Sequence, residues 1–231
     1  MSSTEMKRGD GRGLDELRPI SFELNIQRYA AGSALIKWGH THVLCAATLE
    51  DRVPSFVEEG GWASAEYSLL PGSTHSRVRR ERKGPSGRTA EIQRLIGRSL
   101  RAGLDLAAME GYTLTLDCDV IQADGGTRCA AITGSYVAAS LALREIGYQP
   151  EPFAAVSFGL LGGEVHTDLC YEEDSRAEVD MNIILTPKGF VEVQGTAERA
   201  LFSQDHLNEM LTRAQRAAAQ IFSLQEAALK G

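Results

Sequence analysis

Few folds can accommodate the run that spans residues 114–143. Leu114, Leu116, Cys118 and Val120 alternate with polar positions, which predicts a strand with one buried face. Ala130 to Ala139 is small or apolar at nearly every position and holds no turn signal. A helix that is apolar all round is buried on several sides, and Gly134 and Ser135 would let another backbone come close. The two elements are joined by Asp124-Gly125-Gly126-Thr127-Arg128, a tight turn ending at a helix N-terminus. Such an end presents unpaired N–H groups and a partial positive charge, so it favours anions. Thr127 adds a hydroxyl, and Arg128 a planar fork matched to phosphate geometry. Taken alone, the same residues also describe an ordinary glycine turn with a solvated arginine.

A second basic segment upstream favours the anion reading. Net charge is −7 over 231 residues, a balance that by itself argues against a nucleic-acid partner. From Arg77 to Arg101, however, nine basic residues stand against Glu81 and Glu91, so this segment carries +7 and the remainder −14. An acidic body with one dense basic stripe is a footprint for a polyanion. Ser73 to Gly87 is turn-rich and poor in apolar residues, which predicts an exposed loop. Arg88 stands just ahead of a helix that begins near Thr89 and carries Ile92, Leu95, Ile96 and Leu100 on its apolar face. That place repeats the one Arg128 holds before the next helix, so two arginine-headed helix N-termini would share one phosphate. Arg94, Arg98 and Arg101 line one side of the same helix, either solvated, ion-paired or at a subunit contact.

The rest of the chain reads as one globular unit, residues 1–231, with two similar halves and a seam near 147–152. Residues 1–13 are polar and glycine-rich, which predicts a mobile arm. Strands are expected around Ile20–Ile26, Ala34–Trp38, Val43–Leu49 and Trp62–Leu70, and after the seam at 154–160, 164–169, 179–185 and 190–193. A long amphipathic helix starts near Asp205. Four widely spaced cysteines with no C-x-x-C pair suit reduced core thiols. No apolar run approaches the ~20 residues of a membrane span, and the polar start is unlike a signal peptide. The expectation is a soluble, cytoplasmic protein that does not enter membranes.

Glu172-Glu173-Asp174 and Glu178-Val179-Asp180 place carboxylates at a strand end. Beside a phosphate site they would serve Mg²⁺, which prefers oxygen ligands and bridges to substrate phosphates. A solvated acidic turn would look the same. Gln194-Gly195-Thr196-Ala197-Glu198 is a further polar cluster of open meaning.

Several of these runs resemble the ribonuclease PH family. They are Gly87-Arg88-Thr89 with Glu91-Ile92-Gln93-Arg94-Leu95-Ile96-Gly97-Arg98, and Asp117-Cys118-Asp119-Val120-Ile121-Gln122-Ala123-Asp124-Gly125-Gly126-Thr127-Arg128. Glu173-Asp174-Ser175 with Val179-Asp180-Met181-Asn182, Arg8-Gly9-Asp10-Gly11-Arg12 and the Gln194–Glu198 cluster follow the same pattern. The likeness runs in order along essentially the whole chain. It implies an α+β fold of mixed sheets with packed helices in a duplicated strand-helix core. It further implies a phosphate-dependent 3′→5′ exoribonuclease, or tRNA nucleotidyltransferase. Such an enzyme trims tRNA precursors and other structured RNA 3′ ends, and it assembles as a homo-hexamer, a trimer of dimers. By motif, Arg88, Gly126, Thr127 and Arg128 would bind inorganic phosphate. Asp174 and Asp180 would hold Mg²⁺ or support proton transfer, and Arg77, Arg79, Arg80, Arg82 and Lys83 would hold RNA. Gly72, His42 and Arg199 stand where the family pattern more often has Arg, Lys and Gly.

Two other classes compete. A catalytically silent RNA-binding ring subunit predicts an eroded phosphate site or missing carboxylates, and this chain keeps both sets. A phosphate-using enzyme of small molecules would not need the basic stripe, and no G-x-x-x-x-G-K-[ST] loop is present.

Overall fold

A computed structural model describes residues 8–231. Residues 1–7, the first half of the arm expected to be mobile, lie outside the described residues. The N-terminal half forms a five-stranded sheet from β1 (Ile20–Leu24), β2 (Gly32–Trp38), β3 (Thr41–Glu50), β4 (Trp62–Leu69) and β5 (Thr113–Gln122). Its order is β1-β2-β3-β5-β4, with β4 and β5 parallel and the other neighbours antiparallel. A parallel pair needs a crossover, supplied here by α1 (Gly87–Gly103). The C-terminal half is a four-stranded antiparallel sheet, in the order β7-β6-β8-β9, built from β6 (Ala154–Leu161), β7 (Glu164–Thr167), β8 (Val179–Thr186) and β9 (Gly189–Ala197). The one-turn helix α3 (Tyr171–Asp174) lies between β7 and β8, and α4 (Gln204–Lys230) closes the chain.

The small-residue run becomes α2 (Thr127–Leu143), and it lies between the sheets, against β2 and β3 on one side and β6 on the other. Its smallness is what permits this position. A Cβ on Gly134 would stand 2.8 Å from both Ile36 Cγ2 and Cys45 Sγ, so the close approach expected there is to strand side chains rather than to another backbone. The buried Thr133 hydroxyl on α2 accepts from Ala155 N on β6 at 3.2 Å. From α4, buried Gln225 donates to the Thr133 and Phe153 carbonyls, both at 3.0 Å, tying the last helix to this core.

The described part of the arm is tied into the fold instead of hanging free. Arg8 and Arg12 are buried. Arg8 Nε donates to Glu173 Oε1 at 2.5 Å and Arg8 Nη2 to the Asp168 carbonyl at 2.8 Å, while Arg12 Nη1 lies 3.3 Å from Asp168 Oδ2. The segment is polar because it supplies the cations for a buried ion-pair cluster, and its partners lie more than 150 residues away in sequence. Two further corrections are local. Helix α1 starts at Gly87, where Ser86 Oγ accepts from Thr89 N, so Arg88 sits inside the first turn rather than ahead of it. Asp174 ends the one-turn helix α3 instead of standing at a strand end. Of the basic face of α1, Arg98 pairs with Glu192 on β9, and Arg101 lies 4.6 Å over the Trp62 ring and donates to the Ala63 carbonyl at 2.8 Å.

Candidate active site

The site is assembled around the glycine turn that starts α2. Thr41 on β3 brackets it, accepting from Asp124 N at 2.9 Å and donating to the Gly125 carbonyl at 2.6 Å. Gly125 (φ 73°) and Gly126 (φ 65°) both occupy the left-handed region. A side chain on Gly125 would put its Cβ 2.5 Å from the Leu169 carbonyl oxygen, so position 125 requires glycine on both counts. Beneath the turn, Arg18 Nη2 is 2.7 Å from Asp168 Oδ1, and Trp38 Nε1 donates to Asp168 Oδ2 at 2.9 Å. That buried ion pair, 150 residues apart in sequence, forms the floor on which Gly126 rests.

Tyr67 on β4 donates its hydroxyl to Thr127 Oγ1 at 2.9 Å, leaving the threonine proton free for an anion. Arg128 Nη2 donates to Glu91 Oε2 on α1 at 2.9 Å, and Gln194 on β9 donates to Glu91 Oε1 at 3.2 Å. Burial alone would lower the Arg128 pKa, but the Glu91 hydrogen bond and charge raise it, so this guanidinium stays charged. Its Nε is buried and has no partner among the described residues. Arg88 is exposed in the first turn of α1.

Arg88, Gly126, Thr127, Arg128, Asp174 and Asp180 line one cavity of about 320 Å³. This volume falls within the range of small-molecule clefts. The structure thus brings together both residue sets named from the sequence, from α1, α2, α3 and β8. Asp180 is pushed up to about 6, first by burial and then by the neighbouring Asp174 carboxylate, against the pull of Arg128. Burial also raises Asp174, partly offset by Arg128 and Arg88. Glu173 behaves differently. Burial would raise it, yet hydrogen bonds from His166 and Arg8 hold it far below the usual carboxylate range. It is therefore an anchor for the arm and not part of the acidic site. Among the described residues, no group of three or more His, Cys, Asp or Glu side chains is arranged to hold a metal ion.

Arg77, Arg79, Arg80, Arg82 and Lys83 lie on the loop between β4 and α1, outside the cavity. The same loop forms part of the cavity wall through Thr74, His75, Ser76 and Val78. Arg77 stands between two of these wall residues in the chain, and Arg79, Arg80, Arg82 and Lys83 follow them along the loop. Sequence reasoning did not find Arg18, Asp168 or Tyr67, because none belongs to a local pattern. Gln194 lay in a polar cluster of open meaning, and Glu91 lay within a motif without a role.

Comparison with known proteins agrees with this architecture. A model of the 3′ exoribonuclease family, domain 1, matches residues 16–149, and the model of domain 2 matches residues 151–217. Ribonuclease PH from Synechococcus sp. is 51% identical over 237 residues, covering 96% of this chain and 97% of that protein. Ribonuclease PH from Solibacter usitatus is 50% identical over 237 residues, covering 97% and 100%. Among solved structures, rice Rrp46 superposes with a TM-score of 0.83 at 20% identity over 97% of this chain and all of that one. The Archaeoglobus fulgidus exosome with RNA bound to its active site gives a TM-score of 0.80 at 23% identity, covering 93% and 91%. At those identities the structural likeness shows the fold.

Proposed function

The chain belongs to the 3′ exoribonuclease family, in the ribonuclease PH branch, and from that premise we infer that it is a phosphate-dependent 3′→5′ exoribonuclease acting on tRNA precursors. The observation that carries this reading is the convergence of Arg88, Thr127 and Arg128 with Asp174 and Asp180 on one cavity. Inorganic phosphate held by the two guanidiniums, the Thr127 hydroxyl and the N-terminus of α2 is aimed at the last phosphodiester of the RNA. A phosphate oxygen attacks that phosphorus and the bond to the 3′-oxygen of the preceding nucleotide breaks. The terminal nucleotide leaves as a nucleoside diphosphate, and the shortened RNA takes up a proton at its new 3′-hydroxyl.

Little covalent chemistry is required of the protein, so positioning and charge neutralisation account for most of the acceleration. With no ion bound, Asp180, its pKa pushed up to about 6, would carry the proton given to the leaving 3′-oxygen. The product retains a phosphoanhydride, so the reaction is readily reversible. Alternatively, with both ionised, Asp174 and Asp180 suit Mg²⁺. The Asp174 charge makes Asp180 harder to ionise, a crowding that a hard cation relieves, and Mg²⁺ commonly takes one or two carboxylates plus substrate phosphates. Bound there, the ion would neutralise charge on the scissile phosphate.

Arg77, Arg79, Arg80, Arg82 and Lys83, on the loop that also supplies part of the cavity wall, are the groups we assign to the RNA backbone. By family, we further propose a cytoplasmic homo-hexamer built as a trimer of dimers, with residues 1–231 as one functional domain. No helix among the described residues is long and apolar enough to cross a membrane.

The test is degradation of a tRNA with an extended 3′ end, with Mg²⁺, in the presence and absence of phosphate. Nucleoside diphosphates that appear only with phosphate are expected. Monophosphates formed without phosphate would mean hydrolysis and would overturn the role of Arg88 and Arg128. Bound RNA with no products would identify a silent ring subunit.

A further inference from the structure

One pair of side chains at the cavity has no part in phosphate or carboxylate chemistry. Tyr171 opens α3, three residues before Asp174, and is 53% exposed. His75, from the loop between β4 and α1, faces it with ring centroids 6.1 Å apart and planes tilted by 50°. Both line the cavity that holds Arg88, Arg128 and Asp180. Other rings of this chain are more exposed, but these two stand side by side in the wall of a charged cleft, where a planar ligand group would cover them favourably. The residue is also held in place, because Tyr171 N donates to Asp124 Oδ1 at 3.2 Å in the turn that carries the α2 N-terminus. The backbone that carries this base-sized ring is therefore fixed relative to the phosphate site.

We propose that Tyr171, backed by His75, is the stacking platform for the base of the 3′-terminal nucleotide. The ligand class is a ribonucleotide base carried on RNA or on the nucleoside diphosphate product. This assignment rests on the phosphorolytic reading above and deepens it. A ring face meets the π-face that every base presents, so the platform grips without selecting sequence. That tolerance suits an enzyme that must advance through successive nucleotides. It also divides the labour within the cavity: the guanidiniums take phosphate, and the rings take the base.

The experiment measures binding of ADP, UDP and inorganic phosphate to wild-type protein and to Tyr171→Ala, Tyr171→Phe and His75→Ala. Stacking loss predicts at least a roughly fivefold weaker affinity of Tyr171→Ala for both diphosphates, with inorganic phosphate binding unchanged. Tyr171→Phe, which keeps the ring, restores the affinity that alanine loses. His75→Ala gives a smaller loss in the same direction. RNA ending in an abasic nucleotide provides a second readout, because it should bind wild-type and Tyr171→Ala equally. Diphosphate binding unchanged in Tyr171→Ala would overturn the platform alone. Wild-type protein that binds neither diphosphate nor phosphate would overturn the platform and the phosphorolytic reading together.

Discussion

Arg128 Nη2 lies 2.9 Å from Glu91 Oε2, so the guanidinium at the head of α2 is held from the neighbouring helix α1. Gln194 holds the other Glu91 oxygen at 3.2 Å, which joins β9 to the same arrangement. Three elements from both halves of the chain thereby fix the orientation of one cation. What this anchoring leaves unpaired among the described residues is Arg128 Nε, a buried donor.

Cutting that anchor should cost phosphate affinity. In Glu91→Ala the guanidinium gains rotamer freedom, and loss of a charge-assisted hydrogen bond of about 1.5–3 kcal/mol predicts a phosphate KM raised roughly tenfold or more. Glu91→Gln keeps an acceptor and should recover part of the loss. Steady-state rates at varied phosphate and saturating RNA would show it. An unchanged phosphate KM in Glu91→Ala would remove the anchor from the reaction.

Asp180 links activity to stability. Its folded pKa of about 6 is above the ordinary aspartate value of 3.8, so the folded state holds the proton more tightly than the unfolded chain. The contribution of this group to stability therefore declines as pH rises from about 4 through about 6. In chelator-treated protein, Asp180→Asn should flatten that decline and unfold no earlier than wild type at pH 7, while turnover nearly vanishes. Thermal unfolding at pH 4 and pH 7, read beside activity, tests both halves. An active Asp180→Asn protein would take the residue out of the site.

The arm should confer sensitivity to acid. Glu173 is held below its ordinary value of 4.5, so its contribution is present above that pH and is lost as pH falls through the depressed folded value. Removing one partner of a buried pair costs roughly 3–5 kcal/mol. Arg8→Ala should therefore destabilise strongly at pH 7 and much less in acid. Denaturant unfolding at pH 7 and pH 3 would measure this, and an equal loss at both would mean that Arg8 acts through packing instead of charge.

The basic loop predicts a salt signature. Neutralising Arg77, Arg79 and Arg80 should weaken RNA binding and flatten its dependence on salt, by about 0.7 in log–log slope for each single-strand phosphate that is no longer neutralised. Inorganic phosphate binding should not change, because these side chains lie outside the cavity. RNA titrations at several salt concentrations decide it, and an unchanged slope would return the loop to a solvated surface.

Much of this protein was legible one segment at a time. Alternation marked β5, the unbroken small-residue run marked α2 as an interior helix, and the glycine turn with Thr127 and Arg128 marked an anion site. Strand and helix periodicity, turn chemistry and charge density are properties of neighbouring residues, so they survive in a linear reading. The sequence by itself therefore determined most of the elements, though not α3, and the family and the six residues now found around one cavity. Tertiary structure alone decided which distant groups hold them there. Nothing local says that Arg8 meets Glu173 or that Asp168 meets Arg18, that Glu91 joins Arg128 to Gln194, or that β5 inserts between β3 and β4. An ion pair or a strand pairing is specified by shape and burial after collapse, and a charged residue carries the same signal whether water or a buried partner awaits it.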